Sequence, residues 1–316
     1  MFLIFDTETT GLPKKWNAPL SDSENWPRCV QIAWQIHDFN GLCIENKSYL
    51  IKPEGFTIPY ESEKIHGIST SLANSKGEKI KNVLETFLKS ISQCKYICGH
   101  NVKFDINIIG AELFRIGHEN KIGQLPIIDT CSEITAEITK LSGGRGGKFK
   151  FPTLSELYFN LFNENFIEAH NASADVEATS RCLIELFRKN IFRNDFVKGI
   201  DQIQNKIQEQ FNDVVPLLGL EHESFKLASE KLKKKEEKLK LIPIKDDIDS
   251  SVTDDKSFSH LHVHSQFSIL QSTSKISNLV SKAIDYNMPA IALTDHANLM
   301  GSFRLIKEVK NYNNNI

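Results

Sequence analysis

Apolar residues in this chain come in two rhythms. Short unbroken runs, MFLIF over 1–5, YICGH over 96–100 and LPIID over 125–129, each lead into an acid or a short polar motif, and they predict buried strands. Two longer β-rich runs, CVQIAWQIHDF over 29–39 and LCIENKSYLIK over 42–52, are split by Asn40-Gly41. Asn-Gly between such runs signals a hairpin, so a strand followed by that hairpin predicts an antiparallel edge. The second rhythm is helical. Ile80, Val83, Leu84, Phe87, Leu88 and Ile91 recur at helical spacing within 80–93. Further helices are expected from about Asp105 to Ile116, after the cap offered by Asp129-Thr130, and from about Ser173 to Lys189. Strands alternating with helices after an initial hairpin predict a mixed, mostly three-layered α/β domain over residues 1–190.

The pattern then changes. Residues 196–240 are helix-prone and increasingly charged, ending in ASEKLKKKEEKLK, while 245–257 is acidic, rich in serine and poor in apolar residues. Together, 191–257 reads as a helical, charged linker with a flexible end. A third region opens at Phe258 with HLHVH, and no internal repeat is visible. A length of 316 residues fits two domains, or one and a fragment.

Composition narrows the classes. Apolar residues make up 40% and charged residues 25%, with a net charge of −2, so there is no basic coat for nucleic acid and any such contact must be local. The six cysteines (29, 43, 94, 98, 131, 182) lack paired CxxC spacing, and Cys94-x3-Cys98 has no second ligand pair. They read as buried free thiols in a reducing cytosol. No apolar stretch approaches the roughly 18 residues needed to span a bilayer. MFLIFD runs straight into a strand, so no signal peptide and a cytoplasmic location are expected.

Chemistry concentrates in FDTETTG, GHNVKFD and AHNASAD. In the first, period two places Asp6 and Glu8 on one face of a strand, able to share a metal. Thr9, Thr10 and Gly11 follow with hydroxyls, backbone N–H groups and tolerance of positive φ beside a phosphate. In the second, Asp105 opens a helix whose dipole favours its charge. Asn101 is a candidate to contact a nucleic-acid strand, Phe104 one to pack under the site or against a base, and His100 reads as structural. In the third, His170 precedes a helix and Asp175 lies in its early turns; five residues apart, they do not share a helical face. A loop-borne histidine suits a base, and a helix-held acid suits a fixed ligand. Four carboxylates and one imidazole fit two divalent cations and a water-activating base. The same groups taken singly also serve as caps or core side chains.

These three motifs, in this order and spacing, resemble those of the DnaQ-like, DEDDh 3′–5′ exonucleases over roughly residues 1–187. The resemblance implies an RNase H-like fold with a mixed five-stranded sheet. It further implies that Asp6, Glu8 and Asp175 bind two Mg²⁺ or Mn²⁺ ions, that Asp105 holds the second largely through water, and that His170 is the general base. IHGIS over 65–69 is similar to a segment that touches the terminal nucleotide, which makes His66 a substrate-contact candidate. TLSELYFNLF over 153–162 is similar to the helix before the last motif.

Other features are blander. SGGRGGKFKF over 142–151 lacks the strand–GK[ST]–helix setting of a phosphate loop and reads as a flexible loop, although Arg145, Lys148 and Lys150 could line a strand's path. Six lysines over 231–240 read as a solvated helix face. His262-x-His264 ends a strand and Asp295-His296 follows AIALT. FSHLHVHSQFS and ALTDHANLMGSF resemble the start of a PHP domain, and within that group the N-terminus of bacterial DNA polymerase III alpha subunits. Leu270-Gln271 departs from the common pattern. The segment reaches about two βα units, whereas a barrel needs more strands, so 258–316 is expected to be a truncated piece. His262, His264 and His296 then form at most an incomplete site. The expected activity is removal of nucleotides from single-stranded or frayed 3′ DNA ends, with proofreading beside a polymerase III or its sliding clamp. Two alternatives stay open: an RNA-trimming exonuclease, and a non-catalytic tether built on the glutamine-rich QIQNKIQEQF over 202–211.

Overall fold

The computed structural model describes residues 1–120, 122–166, 170–192, 199–240, 258–296 and 298–313. They form two compact units, Met1–Ile242 and Pro243–Ile316. In the first, β1 (Phe2–Thr9), β2 (Cys29–His37) and β3 (Cys43–Leu50) precede three helices, α1 (Tyr60–His66), α2 (Thr70–Lys76) and α3 (Ile80–Ile91). Next come β4 (Tyr96–Gly99), α4 (Lys103–Arg115), β5 (Ile127–Asp129), α5 (Glu133–Thr139), α6 (Leu154–Phe162) and α7 (Ala172–Arg188). The unit ends with α8 (Ile200–Gln210) and α9 (Phe225–Lys240). The sheet order is β3-β2-β1-β4-β5, with β1, β2 and β3 antiparallel and β1, β4 and β5 parallel. This is the mixed five-stranded, RNase H-like sheet that the motifs imply.

Side-chain parity along β1 decides what each face carries. Phe2 and Ile4 lie in a core with α6, α7 and α8, including Leu157, Leu183 and Phe187. Leu3 and Phe5 lie in the opposite core with Val83, Phe87 and Ile109 of α3 and α4. Alternation then carries Asp6 and Glu8 toward α7, and Thr7 toward α4. The strand runs past MFLIF because Asp6 and Glu8 stay paired with Ala33 and Gln31 of β2. The register shifts between Glu8 and Thr9, and such a bulge turns the chain away from the sheet. The Asn40-Gly41 hairpin forms, but over a wider loop. Asp38 accepts from the amides of Asn40 and Leu42 (both 2.9 Å), and Gly41 takes φ 87°.

The stretch read as a linker over 191–257 differs from that reading in its described part. Ile200, Ile203 and Ile207 lie at i, i+3 and i+7, and all three are buried in the core beside α7. Phe225 of α9 packs with Ile68 and Leu72. These residues therefore extend the first unit. The apolar side of 202–211, the segment on which a non-catalytic tether would be built, is packed against α7. Residues 241–257, including the segment 245–257 expected to be a flexible linker, fall outside the described residues.

The second unit contains β6 (His260–Val263), α10 (Ile276–Asp285), β7 (Ile291–Leu293) and α11 (Met300–Asn313), with β6 and β7 parallel. No helix among the described residues is long and apolar enough to cross a membrane.

Candidate active site

Asp6 and Glu8 from β1 and Asp175 from α7 each offer a carboxylate oxygen within 4.8 Å of the others. Parity on β1 and the placement of α7 over that face produce the convergence. Asp105 is absent from this group of three. It approaches round the end of β1, where its Oδ1 accepts from the Thr7 amide (3.0 Å) and hydroxyl (2.6 Å). His170 has a left-handed backbone (φ 71°), and its N–H donates to Asp175 Oδ2 at 3.0 Å. Its side chain is exposed, and its ring has no hydrogen-bond partner among the described residues. Residues 167–169, just before it, lie outside the described set.

Crowded acids define the electrostatics. Burial pushes the Asp6 carboxyl well above its usual range, and Asp105, Asp175 and Glu8 push it further. Glu8 is raised by burial and then by Asp175 and Asp105. Asp105 is pushed up to about 7 by burial, against the two Thr7 hydrogen bonds, and Asp175 to about 7 by burial, against the His170 amide. Among the described residues no lysine or arginine pairs with any of the four. Buried like charges without a counter-ion are unfavourable unless protonated or neutralised by a cation. An all-oxygen donor set of this kind fits hard divalent ions.

The other predicted residues are placed as follows. The Thr9 hydroxyl donates to the Gly11 carbonyl (2.7 Å), and the Thr10 hydroxyl accepts from the Arg28 amide (2.9 Å). Both hydroxyls thus close the turn, and Gly11 sits at φ 147°, a value that glycine tolerates. His66 is buried; its Nδ1 accepts from the Ile68 amide (3.1 Å), while Nε2 makes no hydrogen bond of good geometry among the described residues. Burial lowers its pKa to about 4, with His170 adding to the fall. Asn101 is exposed with φ 61°, and Phe104 packs on Trp16 with ring centroids 5.9 Å apart. His100 is held between Thr130 Oγ1 (2.9 Å) and the Pro152 carbonyl (3.0 Å), a structural placement. In the glycine-rich loop, Lys148 pairs with Glu133 and Lys150 with Glu156, both at 2.8 Å. Those two lysines are engaged within the unit.

Three features escaped the sequence reading. Asp129 accepts from the amides of Asn101 (2.8 Å) and Val102 (3.1 Å), capping α4 from the neighbouring strand. Trp16 joins Phe104 from a polar loop with no periodic signal. Glu177, two residues beyond Asp175 on α7, receives His222 Nε2 at 2.6 Å from a segment read as linker.

In the second unit the histidines do not assemble comparably. The rings of His262 and His264 stand 4.7 Å apart, but Asp295 accepts from Ser265 N (2.6 Å), Ser265 Oγ (2.7 Å) and Ser268 Oγ (2.9 Å). No group of three metal-ligating side chains forms there, with or without His296, among the described residues.

Residues 3–183 match the family model described as Exonuclease. The chain belongs to the exonuclease family. Residues 260–316 of this exonuclease-family chain match the model described as PHP domain. The chain is 55% identical over 53 residues to DNA polymerase III subunit alpha of Borreliella burgdorferi, covering 17% of this chain and 5% of that protein. It is 26% identical over 220 residues to the 3′-5′ exonuclease DinG of Bacillus subtilis, covering 69% of this chain and 21% of that protein. The chain thus spans only a small part of these curated relatives. Among solved structures it is similar to E. coli Exonuclease I in complex with a dA16 oligonucleotide, at 22% identity and a TM-score of 0.46, over 60% of this chain and 40% of that one.

Proposed function

We propose that the protein is a 3′–5′ exonuclease that requires divalent cations, two Mg²⁺ or Mn²⁺, and removes nucleotides one at a time from single-stranded or frayed DNA ends. Its setting is proofreading beside a polymerase of the DNA polymerase III type. One observation carries the chemistry: Asp6, Glu8 and Asp175 converge within 4.8 Å in a half-buried place where, among the described residues, no lysine or arginine pairs with them. The family match and the name of the DinG relative support the direction of attack, and the polymerase-subunit match supports DNA.

Asp6, Glu8 and Asp175 would hold the ions, with Asp105 supporting from its Thr7 anchor. When bound, the ions neutralise the carboxylates, polarise the phosphate and the attacking water, and stabilise the departing 3′ oxygen. His170, whose ring has no hydrogen-bond partner among the described residues, would accept the proton of that water. The turn at Thr9–Gly11 presents backbone to the terminal nucleotide, while Phe104 and Trp16 give a base an aromatic surface.

A 5′-labelled single-stranded DNA oligomer with Mg²⁺ tests this. The expected product is a ladder that shortens in single-nucleotide steps from the 3′ end. Internal cuts, faster trimming of a matched RNA, or no cleavage beside tight clamp binding would each reject the proposal.

A further inference from the structure

We propose that residues 213–233, downstream of the family-matched region, form a strap that positions the backbone beside His170 and beside His66 at the carboxylate site, with His222 as its main positioning residue. What those two histidines do rests on the exonuclease reading above; the strap itself rests on geometry.

The side chains Ser173, Glu177, Arg181 and Glu185 fall at steps of four along α7, so they line one face of that helix. Each meets the strap in turn. Glu185 Oε2 accepts from the Val215 amide (3.1 Å), and Arg181 Nε donates to the Val215 carbonyl (2.9 Å). Glu177 accepts from the amides of Gly219 (2.7 Å) and Leu220 (3.3 Å) and from His222 Nε2 (2.6 Å). Ser173 Oγ lies 3.0 Å from His222 Nδ1. At the end of the row, Asn171 Nδ2 donates to the Glu223 carbonyl (3.0 Å). Glu177 is only 4% exposed, and a carboxylate so buried needs its donors. This polar row therefore fixes the strap along α7.

The row ends where the chemistry begins. Asn171 caps α7, and its Oδ1 accepts from Ser173 Oγ (2.8 Å) and Gln31 Nε2 (3.0 Å). His170 is the residue before that cap. Beyond Glu223 the strap crosses to the corner that carries His66. Ser229 Oγ donates to the Gly67 carbonyl (2.7 Å) and accepts from the Ser69 amide (3.1 Å), and Lys233 pairs with Glu63 at 2.5 Å. Gly67 has φ 76°, and a Cβ there would stand 2.5 Å from the Lys226 backbone nitrogen, so the corner is shaped to receive the strap. One segment thus holds the backbone beside His170 and beside His66.

The test uses the full chain with His222→Ala, His222→Gln and Ser229→Ala. Hydrogen exchange needs no nuclease activity. His222→Ala is expected to speed exchange of the amides of His170–Ser173 about tenfold, and Ser229→Ala those of Ile68–Ser69, with β1 unchanged. His222→Gln, which keeps a donor for Glu177 and an acceptor for Ser173, restores protection. Unchanged protection in both alanine variants overturns the proposal, and so does uniform acceleration that includes β1. On single-stranded DNA with Mg²⁺, His222→Ala should lower kcat about tenfold while KM stays within about twofold, with recovery in His222→Gln. Full kcat in His222→Ala beside an active wild type overturns the strap and leaves the exonuclease reading standing. An inactive wild type rejects that reading instead, and the exchange data then decide the strap.

Discussion

Two clusters of ionisable side chains, one in each unit, meet very different fates. In the first, Asp6, Glu8 and Asp175 come from a strand and a helix pressed together by a continuous core, and their oxygens converge. In the second, His262 and His264 leave a two-stranded sheet whose Leu261 is 76% exposed, and Asp295 is occupied by serines. Both clusters are legible as motifs. Only where packing fixes the backbone on both sides does a motif become a site.

The comparison breaks most easily at its acids. Asp6→Asn should lower exonuclease turnover by about three orders of magnitude or more, because the bound charge loses a ligand. The double change His262→Ala/His264→Ala should leave turnover on the same oligomer unchanged. Equal losses in both would erase the distinction between the units. Next in size is His170→Gln, expected to reduce kcat about 10²-fold with little change in KM, as removal of a general base does. A KM-dominated effect in steady-state assays would move His170 from proton transfer to substrate binding.

Smaller effects concern stability. Asp105 titrates in the fold at about 7, above its value in an unfolded chain. A raised acid favours the fold when protonated, so its contribution is present below about pH 4 and is lost as pH rises through 7. Without metal at pH 8, Asp105→Asn should therefore stabilise the first unit, by on the order of 2 kcal/mol, since an asparagine oxygen can still accept from Thr7. Denaturant midpoints with and without Mg²⁺ check this, and destabilisation of the metal-free form would contradict it. His100 works in the opposite sense. Burial lowers its pKa to about 4, so its contribution is full above about pH 6.5 and is lost as pH falls toward 4. The wild type should lose up to about 3 kcal/mol relative to His100→Gln over that window. The difference between the two proteins is the quantity to measure, because the acids shift oppositely in the same range.

Much of this was legible in the sequence for a physical reason. Strand parity and helical spacing are local properties, so β1, the β2–β3 hairpin, α3 and α7 could be read directly. So could the acids at period two on β1. The helix α1 and its corner were not legible, because seven residues with two glutamates carry little periodicity. Nor was the strap. Several of its contacts are backbone amides on Glu177 and Glu185, which no side-chain pattern announces, and the charged composition around Ile200, Ile203 and Ile207 hid a buried stripe. Asp129 was read as a cap for its own helix, yet its carboxylate caps α4 from across the sheet. Such long-range polar pairings depend on tertiary structure.

The central claim is that the acids of β1 and α7 hold the catalytic cations and the histidines of the second unit do not. Titration of Mn²⁺ into the full chain, read by calorimetry, tests it most directly. Binding is expected in wild type and in His262→Ala/His264→Ala, with loss of that binding in a folded Asp6→Asn/Asp175→Asn variant. Undiminished Mn²⁺ binding by the Asp6→Asn/Asp175→Asn variant would contradict it.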